Sequence, residues 1–434
     1  MDFDLILREA RVAGQAERTT DIGISKGKIA AVAPDLPKGA PERRLDGRLV
    51  VPGFIETHIH LDKSCLLGRC QCEKGTLDEA ILAVAEAKRG FTEDDVYQRA
   101  TRTLEKAIKQ GTTRMRTHVE VDPRIGLTSV KALLRLKKEY AFAIDLQLCV
   151  FPQEGLLDDP GCEDVMVAAL EAGADVVGGA PYMDKDSHGQ IARIVALAQR
   201  FNVDIDFHLD FGLDTGHLDV LEVCRLADET GWGGRVAVGH ATKFSAMKAA
   251  DLVTLAKRLA KSGVAVTALP STDLFLIGRD YDGNVPRGVA RVHQLVEHGV
   301  NCSISTNNVL NPFTPFGDCS LVRMANLYAN VAQIGGRPAD MELCLSMVTE
   351  RSARLLNLRD YGIAEGKQAD VVVMDCTDGA TAIAELAQPL MVFKHGEMTV
   401  SRPAATLVRP GAGQADSATT PSSSTLHSGS ARPS

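Results

Sequence analysis

Two histidines, His58 and His60, stand two residues apart at the end of an apolar run rich in strand-forming residues. Side chains at positions i and i+2 of a β-strand point to the same face, so the two imidazoles can hold one metal ion together. Imidazole nitrogen suits zinc, iron and similar divalent ions. A chain with 11 histidines often contains this spacing by chance, so the prediction depends on further ligands from other segments.

Three more histidines, His118, His208 and His240, stand near the ends of later apolar runs. In a parallel barrel the carboxyl ends of the strands meet at one rim, where catalytic residues gather. A single histidine is more often structural than a ligand, but five at strand ends favour a metal site. The others fall in helical, loop or tail patterns, and we interpret them as structural: His188, His217, His293, His298, His395 and His427.

The elements that must position these histidines alternate along the chain. Apolar runs occur at 53–62, 111–121, 143–153, 174–180, 204–210, 235–241, 264–270 and 301–306, with helical patterns between them. Eight strands alternating with helices predict a (β/α)8 TIM-type barrel of the α/β class. An open, doubly wound sheet would show the same alternation, but no glycine-rich phosphate-binding pattern follows the first run.

The two ends of the chain carry short β patterns of their own. We predict that residues 1–52 and 365–408 form a small β-sandwich module, and that the barrel spans residues 53–364. The segment 409–434 is rich in Ser, Thr, Ala, Gly and Pro, a composition that predicts a disordered tail.

Composition narrows the possible partners. The net charge of −8, without a basic cluster, argues against nucleic acid as the main partner. No apolar run approaches the roughly 20 residues of a membrane helix, and the acidic, strand-like N-terminus does not resemble a signal peptide. Ten cysteines without paired spacing predict free, mostly buried thiols. We therefore expect a cytoplasmic homo-oligomer that acts on a small molecule.

The chain resembles the amidohydrolase superfamily, in particular the branch with bacterial cytosine deaminase and N-isopropylammelide isopropylamidohydrolase. The resemblance covers about residues 1–408 and rests on several specific blocks. These are PGF at 52–54 leading into HIHLDK at 58–63, THVEVD at 117–122, FPQEG at 151–155, FH at 207–208, GHAT at 239–242 and NPFTPFG at 311–317. The resemblance supports the barrel fold that the alternation predicts.

The resemblance also implies roles for individual residues. His58, His60 and His208 would bind one divalent metal ion, zinc or iron, and His240 would lie beside the metal-bound water. Gln153 would hydrogen-bond the edge of the substrate ring, since a primary amide offers both a donor and an acceptor. A loop-capping amide is the alternative for Gln153. Further candidates for contacts with the substrate are Lys63, Phe211 and Asp273.

Two positions depart from the family pattern, and both concern protons. The eighth strand should deliver an aspartate that binds the metal and accepts a proton, but the chain has Asn307 there. An amide oxygen can bind a metal, yet it cannot act as a base near neutral pH. Three residues after His208, where cytosine deaminases carry a proton-shuttling glutamate, the chain has Phe211.

Three explanations stay open. Another carboxylate, Asp210 or Glu120, could carry protons, although Asp210 could equally cap a helix or loop. The reaction could need less proton transfer than ring deamination, or the protein could bind a ligand without turnover. Our leading hypothesis is a metal-dependent hydrolase of a non-peptide C–N bond in a small nitrogen-heterocyclic or amide substrate, with His240, Asn307 and Asp210 as catalytic candidates. The alternative is a catalytically weakened barrel that binds a small ligand.

Overall fold

The computed structural model describes residues 2–408, and its main compact unit ends at Arg402. The tail predicted at 409–434 lies outside the described residues. None of the helices between residues 2 and 408 is long and apolar enough to cross a membrane. All ten cysteines are free thiols and seven of them are buried, as predicted.

The strands and helices of the described residues have the following bounds. The strands are β1 (Leu5–Val12), β2 (Thr20–Ser25), β3 (Lys28–Ala33), β4 (Glu42–Arg44), β5 (Leu49–Pro52), β6 (Phe54–Ile59), β7 (Thr112–Glu120), β8 (Asp145–Phe151), β9 (Val176–Gly179), β10 (Asp204–Leu209), β11 (Val236–His240), β12 (Val264–Ala268), β13 (Cys302–Ile304), β14 (Val371–Met374), β15 (Pro389–Lys394) and β16 (Glu397–Ser401). The helices are α1 (Leu77–Lys88), α2 (Glu93–Lys109), α3 (Thr128–Glu139), α4 (Cys162–Glu171), α5 (Ser187–Phe201), α6 (Val220–Thr230), α7 (Ala249–Ser262), α8 (Pro270–Leu276), α9 (Val292–Glu297), α10 (Leu321–Ala332), α11 (Pro338–Ser346), α12 (Glu350–Leu355) and α13 (Gly379–Ala384). Short 3-10 helices cover Pro181–Met183 and Thr242–Ser245.

Strands β6 to β13 form one parallel sheet in chain order. The segment after β13 returns to β6, where Asn307 N donates to the carbonyl of His58 and His60 N donates to the carbonyl of Asn307, each over 2.9 Å. These bonds close the sheet, so the predicted (β/α)8 barrel is confirmed. Closure also brings position 307 beside the two histidines of β6.

Helix signals in the sequence position the outer layer of the barrel. Thr76 and Thr92 occupy the N-caps of α1 and α2, and their hydroxyls accept hydrogen bonds from the backbone N–H three residues later. Helix α2 turns a stripe of buried residues towards the sheet, including Val96, Ala100 and Leu104. Capping and amphipathic spacing therefore agree on where these helices begin and which face they bury.

The two chain ends meet in a second sheet with strand order β16-β15-β14-β5-β1-β2-β3, and β4 pairs with β1. The side chains of Leu7, Ile22, Val371 and Phe393 pack in one core cluster of this module. Strand β5 pairs with β14 across more than 300 residues of sequence, as the β patterns at both ends predict. The domain boundaries at residues 52, 364 and 408 remain predictions.

Candidate active site

Five histidines converge at the carboxyl end of the barrel. His58, His118, His208 and His240 lie in the last residues of their strands, and His60 follows β6 directly. All five side chains are buried. The tertiary structure therefore gathers at one rim the histidines that the sequence places at strand ends.

His58, His60 and His208 form a group in which two of the three nitrogen pairs have the spacing of metal ligands, and His58 and His208 also lie within 4.8 Å of a ligand atom of His240. His208 Nε2 lies 3.1 Å from His58 Nε2 and 3.0 Å from His60 Nε2. Ligands that bind zinc at about 2.0–2.1 Å lie roughly 3–3.4 Å apart around one ion. Burial first, and then repulsion between neighbouring protonatable groups (other histidines and, for His60, Lys63), lower the pKa of each imidazole well below its usual value. The rings are therefore neutral and offer lone pairs, so the residues present fit a divalent metal ion.

His118 stands outside this group. Its ring stacks on His58 with 3.8 Å between ring centroids, and its Nε2 lies 3.6 Å from Asp206 Oδ1. Arg116 Nη1 donates to Asp206 Oδ2 over 3.0 Å. Burial alone would raise the pKa of Asp206, but His118, His58 and Arg116 together lower it well below its usual value. The buried Arg116–Asp206 ion pair thus lies directly beside His58 and His118, with Asp206 Oδ1 3.8 Å from His58 Nδ1.

Sequence reasoning missed this Arg116–Asp206 pair. Asp206 precedes His208 by two residues and Arg116 precedes His118 by two, so in each strand the charged residue shares a face with the histidine. That alternation was the available signal. Charged residues inside a strand pattern are usually interpreted as solvent-facing, and only barrel closure turns both side chains inward.

His240 and Asn307 form a second group beside the ligand histidines. His240 Nδ1 lies 2.6 Å from Asp273 Oδ1, and because a carboxylate accepts, Nδ1 carries the proton and Nε2 is left as an acceptor. Asn307 Nδ2 lies 3.4 Å from that Nε2. Among the described residues, Asn307 Oδ1 has no hydrogen-bond partner. A buried amide oxygen without a hydrogen-bond partner is suited to act as a neutral metal ligand.

Lys63 and Gln153 lie together on the opposite wall. Lys63 Nζ donates to Glu120 Oε1 over 2.6 Å and to Gln153 Oε1 over 3.3 Å. The Lys63 ammonium also stands 4.3 Å from the centroid of the Phe313 ring. Gln153 is only 5% exposed, and its Nε2 has no partner in the part of the chain that the structure describes. Lys63 is therefore a partner of Gln153 rather than a free cation.

The two carboxylates considered as replacement proton carriers are both occupied. Glu120 pairs with Lys63 and with Lys88, whose Nζ lies 3.1 Å away. Burial alone would raise the pKa of Glu120, but the two lysines lower it to about 2. Asp210 accepts from the backbone N–H of Asp219 and Val220 over 2.9 and 3.1 Å, which caps α6. Asp210 therefore makes the contacts of the capping alternative, and a proton-carrying role for Asp210 or Glu120 stays a prediction.

The histidines open into a narrow cavity of about 10 Å³, which is roughly the space of one water molecule. Its lining brings together residues predicted from the sequence and several that were not: His60, Lys63, Leu77, Gln153, Tyr182, His208, Phe211, His240, Thr272, Leu276, Asn307, Asn308 and Phe313. Phe211 meets the His240 ring edge-on with 5.3 Å between centroids. Pockets for drug-sized ligands measure roughly 300–1,000 Å³, so this cavity is nearly closed in the structure.

Comparison with known proteins gives a consistent result. The amidohydrolase family model matches residues 49–399. N-isopropylammelide isopropyl amidohydrolase of Pseudomonas sp. (strain ADP) is 30% identical over 413 residues, covering 92% of this chain and 98% of that protein. The structure of 5-methylcytosine deaminase from Klebsiella pneumoniae with 5-fluorocytosine matches with a TM-score of 0.89 and 30% identity, over 93% of this chain and 99% of that one. N-isopropylammelide isopropylaminohydrolase of Burkholderia multivorans gives a TM-score of 0.81 at 26% identity, over 92% and 98%.

Proposed function

Because the chain belongs to the amidohydrolase family, we propose that it is a metal-dependent hydrolase of a non-peptide C–N bond in a small nitrogen heterocycle, of the deaminase type. The observation that carries the proposal is the convergence of His58, His60 and His208 at the carboxyl end of the barrel, where His60 and His208 line the cavity. The similar proteins named above, which are an amidohydrolase and a deaminase, support this reaction class.

His58, His60 and His208 would hold the ion, with Asn307 Oδ1 as a neutral fourth donor. When bound, zinc or iron supplies a water of lowered pKa and a positive charge beside the scissile carbon. The four donors carry no charge of their own. Asp206 lies 3.8 Å from His58 Nδ1 and Asp273 accepts from His240 Nδ1, so these two buried carboxylates would offset the charge of the ion.

Proton transfer falls to His240 and Asp273. Asp273 holds the His240 proton at Nδ1, which leaves Nε2 facing Asn307 and the cavity as an acceptor. His240 can take a proton at Nε2 from the attacking water and return it to the leaving nitrogen, while Asp273 stabilises the imidazolium between the two steps. This pair supplies the base that position 307 lacks.

Gln153 determines which edge of the substrate is recognised. Its Oε1 accepts a hydrogen bond from the Lys63 ammonium. The opposite orientation of the amide is unfavourable, because it would place the NH2 group against that cation. Nε2 is therefore the atom offered to the cavity, and it can only donate. We infer that the substrate presents a hydrogen-bond acceptor, such as a ring carbonyl oxygen or an unprotonated ring nitrogen, at this edge.

The second candidate function, ligand binding without turnover, rests on one observation. Asn307 stands where the family has an aspartate, and losing acid–base help typically lowers a rate by about 10²–10⁴-fold. The His240–Asp273 pair favours the enzyme over this alternative, because its geometry restores a base at the same wall of the cavity. A homo-oligomeric state and a cytoplasmic location remain predictions.

Purified protein with its metal content measured can be tested against aminopyrimidines, aminotriazines and cyclic ureas, with release of ammonia or amine as the readout. We expect turnover of at least one heterocycle, and we expect His60→Ala to lose this turnover together with about one equivalent of zinc or iron relative to the native protein. His298→Gln, a half-buried histidine elsewhere in the barrel, serves as the control. Heterocycle binding without any product, in protein that holds its metal, would establish the ligand-binding alternative.

A further inference from the structure

A second cluster of metal-binding side chains lies on the surface, outside the lining of the active-site cavity. His188 lies in α5, His217 lies in the loop after β10, and Asp219 is the residue directly before α6. One nitrogen or oxygen from each lies within 4.8 Å of the others. We interpreted both histidines as structural from the sequence, because neither ends a strand.

The distances in this cluster suit a single ion. His217 Nε2 lies 2.8 Å and His188 Nε2 lies 3.6 Å from the same oxygen, Asp219 Oδ1. Two ligands of a tetrahedral zinc ion stand about 3.3 Å apart, so the two distances bracket the required value. The imidazole rings run nearly parallel, with 24° between their planes and 5.5 Å between centroids. All three ligand atoms lie within 4.8 Å of one another, which places them near a common point.

The Asp219 carboxylate is available for this role because Asp210, rather than Asp219, caps the start of α6. It occupies the N-cap of α6, yet its side chain makes no capping hydrogen bond. Asp210 reaches across from the end of β10 and accepts the N–H groups of Asp219 and Val220 instead. The Asp219 carboxylate is thereby released from the helix and turns to the two histidines.

The three side chains of the cluster differ in solvent exposure. The Asp219 side chain is 8% exposed and accepts a hydrogen bond from Ser187 Oγ over 2.8 Å. The side chains of His188 and His217 are 49% and 59% exposed, so an ion can reach them from solvent. A buried carboxylate next to two exposed imidazoles can therefore offer three ligands to one ion.

We propose that His188, His217 and Asp219 form a second divalent-metal site, distinct from the active site and selective for ions of the zinc type. Two imidazoles and one carboxylate favour zinc, cobalt or nickel over magnesium and calcium, which prefer oxygen ligands. Binding would join the start of α5 to the loop between β10 and α6. That loop carries Phe211, which lines the active-site cavity.

Cobalt(II) titration of chelator-stripped, full-length protein tests the proposal, since visible absorption reports coordination by histidine and carboxylate. His60→Ala removes a proposed ligand of the active-site metal, so that cobalt binding at the surface cluster can be measured separately. In that background we expect one equivalent of cobalt to remain, and none after His188→Gln and His217→Gln are added. Asp219→Asn should weaken the remaining binding, whereas His298→Gln should leave it unchanged.

Circular dichroism and thermal unfolding of each variant show that it is folded before its titration is interpreted. Two outcomes would overturn the proposal: His60→Ala protein that binds no cobalt, or cobalt binding that survives His188→Gln together with His217→Gln. Neither outcome touches the proposed hydrolase activity, because the test counts ions at residues that lie outside the active-site cavity.

Discussion

His240 Nδ1 and Asp273 Oδ1 lie 2.6 Å apart in a buried hydrogen bond. The bond decides which nitrogen of His240 carries the proton, and it directs the other towards Asn307. Where the eighth barrel strand is followed by Asn307, a buried carboxylate thus stands after the seventh, at Asp273. Each prediction below follows from a contact of this kind.

Replacing Asp273 with asparagine should slow turnover strongly. Asp273→Asn keeps the shape of the side chain but removes the charge that stabilises protonated His240, so we expect kcat to fall by about 10²–10⁴-fold. KM and metal content should change little, since Asp273 does not line the cavity. Steady-state kinetics and metal analysis on the same preparation check this, and an unchanged kcat would remove Asp273 from the mechanism.

Restoring an acid at position 307 should tighten metal binding. In Asn307→Asp a carboxylate oxygen replaces the amide oxygen, so a neutral set of ligands gains one negative charge. Competition with a chromophoric chelator should show a lower metal Kd than in the native protein. Asn308→Asp is the matched control, because its side chain can still accept from Asn311 Nδ2. Equal tightening in both variants would mean that charge alone, rather than ligation by residue 307, is responsible.

Lys63 should act on the substrate through Gln153. Without its ammonium in Lys63→Met, the Gln153 amide can flip, and we expect KM to rise by about threefold to tenfold, the value of one hydrogen bond. Lys88→Met is the matched control, since Lys88 also pairs with Glu120 but makes no hydrogen bond to Gln153. A similar KM in the two variants would show that the effect comes from the unpaired Glu120 carboxylate.

The buried ion pairs of Glu120 should appear in the pH dependence of stability. Its pKa is about 2 in the folded protein, below the usual value of 4.5, so its contribution is complete above about pH 4.5 and is lost as the pH falls towards 2. Urea unfolding between pH 7 and pH 3 should therefore show a declining free energy of unfolding. In Glu120→Gln the decline should be shallower, and an identical slope in both proteins would contradict the assignment.

Much of this site could be predicted from local pattern. His58 and His60 were recognisable because a strand places positions i and i+2 on one face, and the regular alternation of strands and helices predicted the barrel that brings His208 and His240 to them. The predicted family and the hydrolase class agree with the family match over residues 49–399. These features depend on spacing along the chain, which the sequence states directly.

The partners of polar side chains depended on contacts between distant segments. Asp210 and Asp273 were both candidate site residues, yet the first caps α6 and the second binds His240. Lys63 gained its role from Glu120 and Gln153, which come from later strands of the barrel. A carboxylate or ammonium group has several possible partners of similar energy, and only barrel closure decides which one lies within hydrogen-bonding distance. The sequence by itself therefore determined the fold and the candidate metal-ligand histidines, whereas only the tertiary structure showed that His240 pairs with Asp273 and that the Gln153 amide oxygen faces Lys63.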